Sequence, residues 1–169
     1  RFETQDDLLL DQRLVRHDAS ASIAHAKTLH KANLLTTDET TQLIQGLQTI
    51  MELDSNGAFQ LQAGDEDIHT KIENYLTETL GEVGKKIHTG RSRNDQVLVD
   101  IRLFTKEQLL ELPLFKEKKA QNVLDSIQAR RTVELERFLY GLGIRFVGEQ
   151  VAKLLAEYGS LENIFKNVK

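Results

Sequence analysis

A single proline, Pro113, stands in 169 residues. Proline breaks helix interiors and removes a backbone donor, so a chain almost free of it can run in long helices. Few aromatic residues, 6% of the chain, also argue against a sandwich of short strands. The fold class expected from this is all-α, and periodicity says where the helices lie. Thr36-Thr37-Asp38-Glu39 has the form of a capping box, with Leu43, Ile44, Leu47, Ile50 and Met51 following on one face, which predicts a helix over 37–53. Ile68, Ile72, Tyr75, Leu76 and Leu80 form a second stripe, with Gly81 placed to stop it. Val97, Ile101 and Phe104 form a third, and Thr105 and Gln108 have the spacing of another cap. Helices are then expected over 117–129 (Ala120, Val123, Leu124, Ile127), 133–142 (Leu135, Phe138, Leu139, Leu142) and 149–158 (Val151, Leu154, Leu155, Tyr158), joined by short turns as in small antiparallel hairpins.

Charge divides the chain. Residues 1–104 hold 11 Lys+Arg against 17 Asp+Glu and all five histidines, whereas residues 105–169 hold 11 against 9. A boundary near Phe104–Lys106 follows, although no Gly/Ser/Pro-rich linker marks it. The absence of cysteine excludes disulfides, thiolate zinc sites and cysteine nucleophiles. No apolar run approaches the roughly 18–20 residues that span a bilayer, and the opening RFETQDD lacks the layout of a secretion signal, so a cytoplasmic protein with no membrane partner is expected.

The densest chemistry lies in a polar segment read as a loop, Gly84-Lys85-Lys86-Ile87-His88-Thr89-Gly90-Arg91-Ser92-Arg93-Asn94-Asp95-Gln96. Its cations and donors suit a carboxylate-rich or phosphorylated ligand, since arginine offers a planar fork that matches carboxylate oxygens. A solvated basic loop is the plainer alternative. The order of these residues, continued by Val97, resembles the signature segment of the argininosuccinate lyase family, within the fumarase/aspartase superfamily. Asp65-Glu66-Asp67-Ile68-His69, Ser22-Ile23-Ala24-His25-Ala26 and the Leu34-Leu35-Thr36 entry to the helix holding Gly46-Leu47 extend the resemblance over about 11–104. It implies a helical domain in which Ser22 and Asn94 contact argininosuccinate, Ser92, Arg93, Asp95 and Gln96 complete the binding segment, and Asp67 and His69 line the same pocket.

The implied reaction is β-elimination of argininosuccinate to arginine and fumarate. It requires a base for the Cβ proton, an acid for the departing guanidinium nitrogen and donors for the carboxylates. The family's Thr-His segment and flexible serine loop, carried on its central bundle, have no counterpart in these residues. The catalytic assignment is therefore none, with no cofactor and no metal, an incomplete piece inactive alone, and no family tetramer. A lone histidine beside an apolar helix more often hydrogen-bonds structurally than acts as a base, and His69 with Glu73 lacks a third metal ligand.

In the second part, Leu139-Tyr140-Gly141-Leu142-Gly143-Ile144-Arg145-Phe146-Val147-Gly148-Glu149 reads as helix, Gly-bounded turn and helix, the second helix starting where backbone donors favour an anion. Together with Lys106–Leu112 and Lys118–Leu124 it resembles the helix-hairpin-helix region of bacterial NAD-dependent DNA ligases, over about 106–167. That resemblance implies duplex-DNA backbone contacts from Gly143, Ile144, Arg145, Val147, Gly148 and Lys153. Leu114 stands where the first hairpin of that family carries glycine. The ligase adenylation domain and zinc cysteines have no counterpart. The expected organisation is a lyase-type domain over 1–104 joined, as a hybrid, to helix-hairpin-helix units over 105–169.

Overall fold

The computed structural model describes residues 5–62 and 64–167, all in helices and connecting turns with no strand among them. Residues 1–4, part of the opening segment read above, lie outside this range. The chain divides into two compact units, Arg1–Glu117 and Lys118–Lys169.

The first unit contains α1 (Gln5–Gln12), α2 (Val15–Lys31), α3 (Thr37–Ser55), α4 (Ile68–Leu80), a 3-10 helix (Gly81–His88), α5 (Arg93–Leu103) and α6 (Lys106–Leu110). The start of α3 is fixed as its sequence predicts. The Thr36 hydroxyl accepts from the Glu39 amide at 3.2 Å, and the Glu39 carboxylate accepts from the Thr36 amide at 2.9 Å. Leu43, Leu47 and Ile50 then fall at the three- and four-residue spacing that faces one side, and all three are fully buried. They meet Val15, Ala19, Ala26 and Leu29 of α2 and Ile68, Ile72 and Leu76 of α4 in one core. Gln12 pins the irregular stretch after α3: its amide nitrogen donates to Asp54 and to the Phe59 carbonyl, and its oxygen accepts from Leu61 at 2.7 Å.

The segment expected as a loop from Gly84 is largely helical. Gly81–His88 forms the 3-10 helix and α5 already begins at Arg93, leaving only Thr89–Ser92 irregular. Two forces drive this. Ile87 is buried in the core, which pulls the stretch onto α4, and a Cβ at Gly84 would lie 2.3 Å from the Leu76 carbonyl, so only glycine allows that approach. Ser92 then caps α5, accepting from the Asp95 amide while Asp95 accepts from the Ser92 amide at 3.0 Å.

A second departure concerns which face α5 buries. Of the predicted stripe Val97, Ile101 and Phe104, Ile101 is exposed, as are Leu98 and Leu103, while Gln96 and Asp100 are buried. The helix turns its polar face inward because the α2 surface it meets carries Asp18 and Ser22. Residues after 104 also belong to this unit. Thr105 caps α6 through Gln108, His17 donates to Gln108 and lies tilted against Phe104 with ring centroids 4.7 Å apart, and Arg13 donates to the Glu111 carbonyl.

The second unit comprises α7 (Glu117–Ala129, whose first residue closes the first unit), α8 (Leu135–Gly141), α9 (Glu149–Ala156) and α10 (Leu161–Asn167), the last not foreseen from periodicity. Its core is Leu139, Ala152 and Ile164, flanked by Leu135, Val147, Leu155 and Leu161. The small Ala152 lets α9 approach α8 closely, so α9 buries that residue. Val151, Leu154 and Tyr158, expected on the inner face, are exposed, as are Phe138 on α8 and Leu142 just after it.

Candidate ligand site

The polar face of α5 meets α2, α4 and the end of the 3-10 helix around a set of buried side chains. Asp18 on α2 is the hub. One of its oxygens meets His69 Nδ1 of α4, and the other accepts the Ser22 hydroxyl at 2.8 Å. Asp18 and Ser22 stand one helical turn apart on α2, which aligns them on one face. Ser22 Oγ in turn accepts from Arg91 Nη2 at 2.9 Å, and the same nitrogen reaches His88 Nδ1 at 3.2 Å. Gln96 Nε2 donates to His88 Nδ1 at 2.8 Å. Two donors converging on Nδ1 assign His88 the neutral tautomer with its proton on Nε2, towards Glu73.

The electrostatics agree with a neutral His88. Burial, then the Arg91 guanidinium, push His88 down to about 4. Burial also works against the charge on Asp18, but the hydrogen bonds from His69 and Ser22 and the charge of His69 outweigh it, leaving this carboxyl below its ordinary value. For His69 the same partnership overcomes burial and raises the imidazole. Asp100 is different. Burial and the neighbouring Asp18 carboxylate push it up to about 7, against the pull of His69 and Arg91.

Nearer the surface the partners change. Asp67 caps α4 by accepting from the Thr70 amide at 2.7 Å, and both its oxygens take Arg93 Nη1, whose other nitrogen donates to Thr70 Oγ1 at 2.8 Å. Asn94 occupies the first turn of α5, exposed beside Arg93. His25 donates to the Thr89 carbonyl at 2.9 Å and steadies the turn before Arg91.

All eight residues named from the first resemblance therefore gather at one place, in two layers. Ser22, His69 and Gln96 are buried and hydrogen-bonded inside the protein, while Ser92, Arg93, Asn94 and Asp95 sit on the outer turn with Asp67 beneath Arg93. The outer turn has what a carboxylate needs: a guanidinium held in place, an exposed amide and the amide end of an eleven-residue helix. Asp18 and Asp100 have no place in the reading of the sequence, and His88 and Arg91 figure there only as members of the polar segment. An acidic residue four before Ser22 and another four after Gln96 were the available signals.

Asp18, His69 and Asp100 also form the one group among the described residues with a donor set for a metal ion, their ligand atoms lying within 4.8 Å of one another. Both Asp18 oxygens are already engaged by His69 and Ser22, so a cation would have to displace those bonds, and none is assigned.

In the second unit, Gly143 takes φ +61°, and Gly148 caps α9 with its backbone extended. Ile144 and Arg145 are exposed in the turn between them, and Val147 packs at the edge of the small core. The Arg145 guanidinium lies 4.9 Å from the centre of the Phe146 ring. Lys153 donates to Glu149 at 2.8 Å, so its charge is partly met within α9.

The model of a family described as "Lyase" matches residues 2–134. The chain belongs to this lyase family. A helix-hairpin-helix motif matches residues 137–168, adjoining the lyase match and containing the α8–α9 turn. Among curated relatives, the argininosuccinate lyase of Thermotoga neapolitana is 41% identical over 138 residues, 82% of this chain and 33% of that protein. That of Xylella fastidiosa is 41% identical over 139 residues, 82% of this chain and 31% of the relative. That of Alkaliphilus metalliredigens is 49% identical over 102 residues, 60% of this chain and 22% of the relative. The chain thus spans about a third or less of the length of these relatives. The lyase match covers every residue of the two-layer site and continues past residue 104 through α6 and α7. No helix among the described residues is long and apolar enough to cross a membrane.

Proposed function

We propose that the first unit binds argininosuccinate or a close dicarboxylate analogue through the outer turn Ser92–Asp95, with Gln96 behind it in the inner layer, as the substrate-holding part of an argininosuccinate lyase site. The observation that carries this reading is the outer turn itself: Arg93 braced by Asp67 and Thr70, with Asn94 exposed beside it at the start of α5. A guanidinium whose own position is fixed loses little entropy on taking a carboxylate, and the helix start adds favourable field. The inner layer bears on the turn through Arg91, which is held by Ser22 and His88.

The role assigned to these residues is binding and orientation rather than proton abstraction. His69 is buried against Asp18, and His88 spends its unprotonated nitrogen on Arg91 and Gln96. In the β-elimination catalysed by a complete site, a base removes the Cβ proton, the Cα–N bond breaks and the guanidinium nitrogen is protonated as it leaves, giving fumarate and arginine. Titration calorimetry of the purified chain with argininosuccinate tests this. Binding is expected, with loss of affinity in Asn94→Ala and Arg93→Ala. The absence of binding overturns the reading, and fumarate release by the chain alone overturns the restriction to binding.

A second reading, non-specific contact with duplex DNA through the α8–α9 turn, is favoured by the helix-hairpin-helix match and by the exposed Arg145 near the start of α9, where Gly148 supplies no side-chain cap. Contacts of this kind release counterions, so affinity falls steeply with salt. Fluorescence anisotropy on a short duplex at low salt tests it. Binding that weakens with added salt and in Arg145→Glu supports the reading, and its absence at low salt removes it.

A further inference from the structure

The inner layer is a ring with one open link. From Asp18 it passes through Ser22, Arg91 and His88 to Gln96 by hydrogen bonds, then along one turn of α5 to Asp100; from Asp18 in the other direction it reaches His69. The gap lies between His69 and Asp100. On its two sides stand His69 Nε2 and both Asp100 oxygens, buried polar atoms with no hydrogen-bond partner. His69 is 2% exposed and Asp100 0%. Leaving such groups unpaired in a protein interior costs about 1–3 kcal/mol each, and more where charge is involved. A ring nitrogen of His69 and a carboxylate oxygen of Asp100 lie within 4.8 Å of each other, so the imidazole and the carboxyl are close enough for each to supply the partner that the other lacks.

We infer that Asp100 accepts the Nε2 proton of His69 and so closes the ring, clamping the His69 imidazolium between two carboxyl groups, Asp18 at Nδ1 and Asp100 at Nε2. Asp100 is then a positioning residue. It touches no ligand, but it fixes α5 against α2 and α4 at the turn that carries Gln96, and through Gln96 and His88 it fixes Arg91 behind the outer turn. The groups facing Asp100 are Asp18 from α2, His69 from α4, Arg91 from the preceding turn and Asp11 from α1. His69 thereby becomes a structural cation, which accords with its burial and takes it out of contention as a base.

The ring and its closure rest on side chains inside the first unit and stand whether or not the outer turn binds argininosuccinate. The test is nitrogen-15 and proton NMR of the imidazoles in the purified chain near pH 6. The expected spectrum shows His69 protonated at both nitrogens, with its Nε2 proton slow to exchange. In Asp100→Leu that slowly exchanging Nε2 signal is lost, while Asp100→Asn, which keeps an acceptor oxygen, retains it. A His69 with bare Nε2 in the wild-type chain, or an Nε2 proton equally protected in Asp100→Leu, overturns the inference. The wild-type spectrum decides the matter should the leucine variant fail to fold. A closed ring in a chain that does not bind argininosuccinate would discard the proposed ligand and leave the positioning role in place.

Discussion

The two units spend their side chains in opposite ways. The first buries polar groups, Asp18, Ser22, His69, Gln96 and Asp100, inside a core of thirteen apolar residues. The second buries almost nothing polar, closes on three apolar residues and leaves Phe138, Tyr140, Leu142, Ile144, Phe146, Leu154 and Phe165 open to solvent. A large apolar core can hold a polar network because burial elsewhere offsets its desolvation, whereas a small unit has no such reserve. The network therefore belongs to the unit that carries the candidate site. The exposed aromatics belong to the unit whose stability depends most on each remaining contact.

The largest expected effect breaks the hub of the first unit. Asp18→Ala leaves His69 Nδ1 buried without its partner and Ser22 without an acceptor, which costs about 3–5 kcal/mol on the scale of broken buried pairs. Urea unfolding followed by amide exchange should show the first unit destabilised and α8–α9 protection unchanged. A loss below about 1 kcal/mol would mean that the network is ornamental to the core.

Next in size is the counterpart in the second unit. Leu139→Ala truncates the more deeply buried of the two large side chains in its three-residue core, a change worth about 3 kcal/mol at ordinary sites. A unit of this length has only a few kcal/mol to lose, roughly 0.05–0.15 per residue. Limited proteolysis should therefore cut within α8–α10 while the first unit stays intact. Equal resistance in wild type and variant would show that the contrast between the units is overstated.

Smaller, and confined to the first unit, are two opposed dependences on pH. Asp100 is raised to about 7 in the folded protein, so its contribution is present at low pH and is lost as pH climbs from its unfolded value near 4 through 7. His88 is depressed to about 4, so its contribution is present above its ordinary value near 6.5 and is lost as pH falls towards 4. Between those limits the slopes cancel, each at most about 1.4 kcal/mol per pH unit. Above 6.5 the raised His69 adds to the decline begun by Asp100. Asp100→Asn should expose stability that rises between pH 4 and 6.5, and His88→Gln stability that falls. Thermal melts over that range check this, and parallel profiles for both variants would refute it.

The same contrast explains what could be read from the sequence. Helix starts were legible where a side chain returns to the backbone three residues away, as at Thr36 with Glu39 and Thr105 with Gln108. The equivalent Ser92 with Asp95 is hidden among basic residues whose pattern reads as a loop. The site's members were legible as a resemblance of ordered residues, but their division into an inner and an outer layer was not. That division depends on α5 presenting Gln96 and Asp100 to Asp18 and Ser22, a pairing between polar faces that apolar periodicity does not register. Misreading was heaviest in the second unit. There the close approach of α9 to α8 at Ala152 turns Ala152 and Leu155 inward and leaves Val151 and Leu154 of the expected stripe exposed.

The finest comparison sets one turn in each unit side by side. Leu114 and Phe146 both hold left-handed backbone, at φ +63° and +70°, and both are exposed, at 90% and 85%. For an L-residue other than glycine that conformation costs about 1–2 kcal/mol, whereas glycine adopts it freely but gives up roughly 0.5–1 kcal/mol more chain entropy on folding. Leu114→Gly should accordingly stabilise the first unit by up to about 1 kcal/mol, since almost all of the leucine side chain lies in solvent. Phe146→Gly relieves the same strain but also removes the ring beneath Arg145, a contact worth about 0.5–1 kcal/mol at an exposed position. Its net effect should be near zero. Urea midpoints measured on both variants check the pair. A gain at Phe146 equal to that at Leu114 would show that the arginine contact contributes nothing to the hairpin, and a loss at Leu114 would show that its side chain does more in the first unit than its exposure allows.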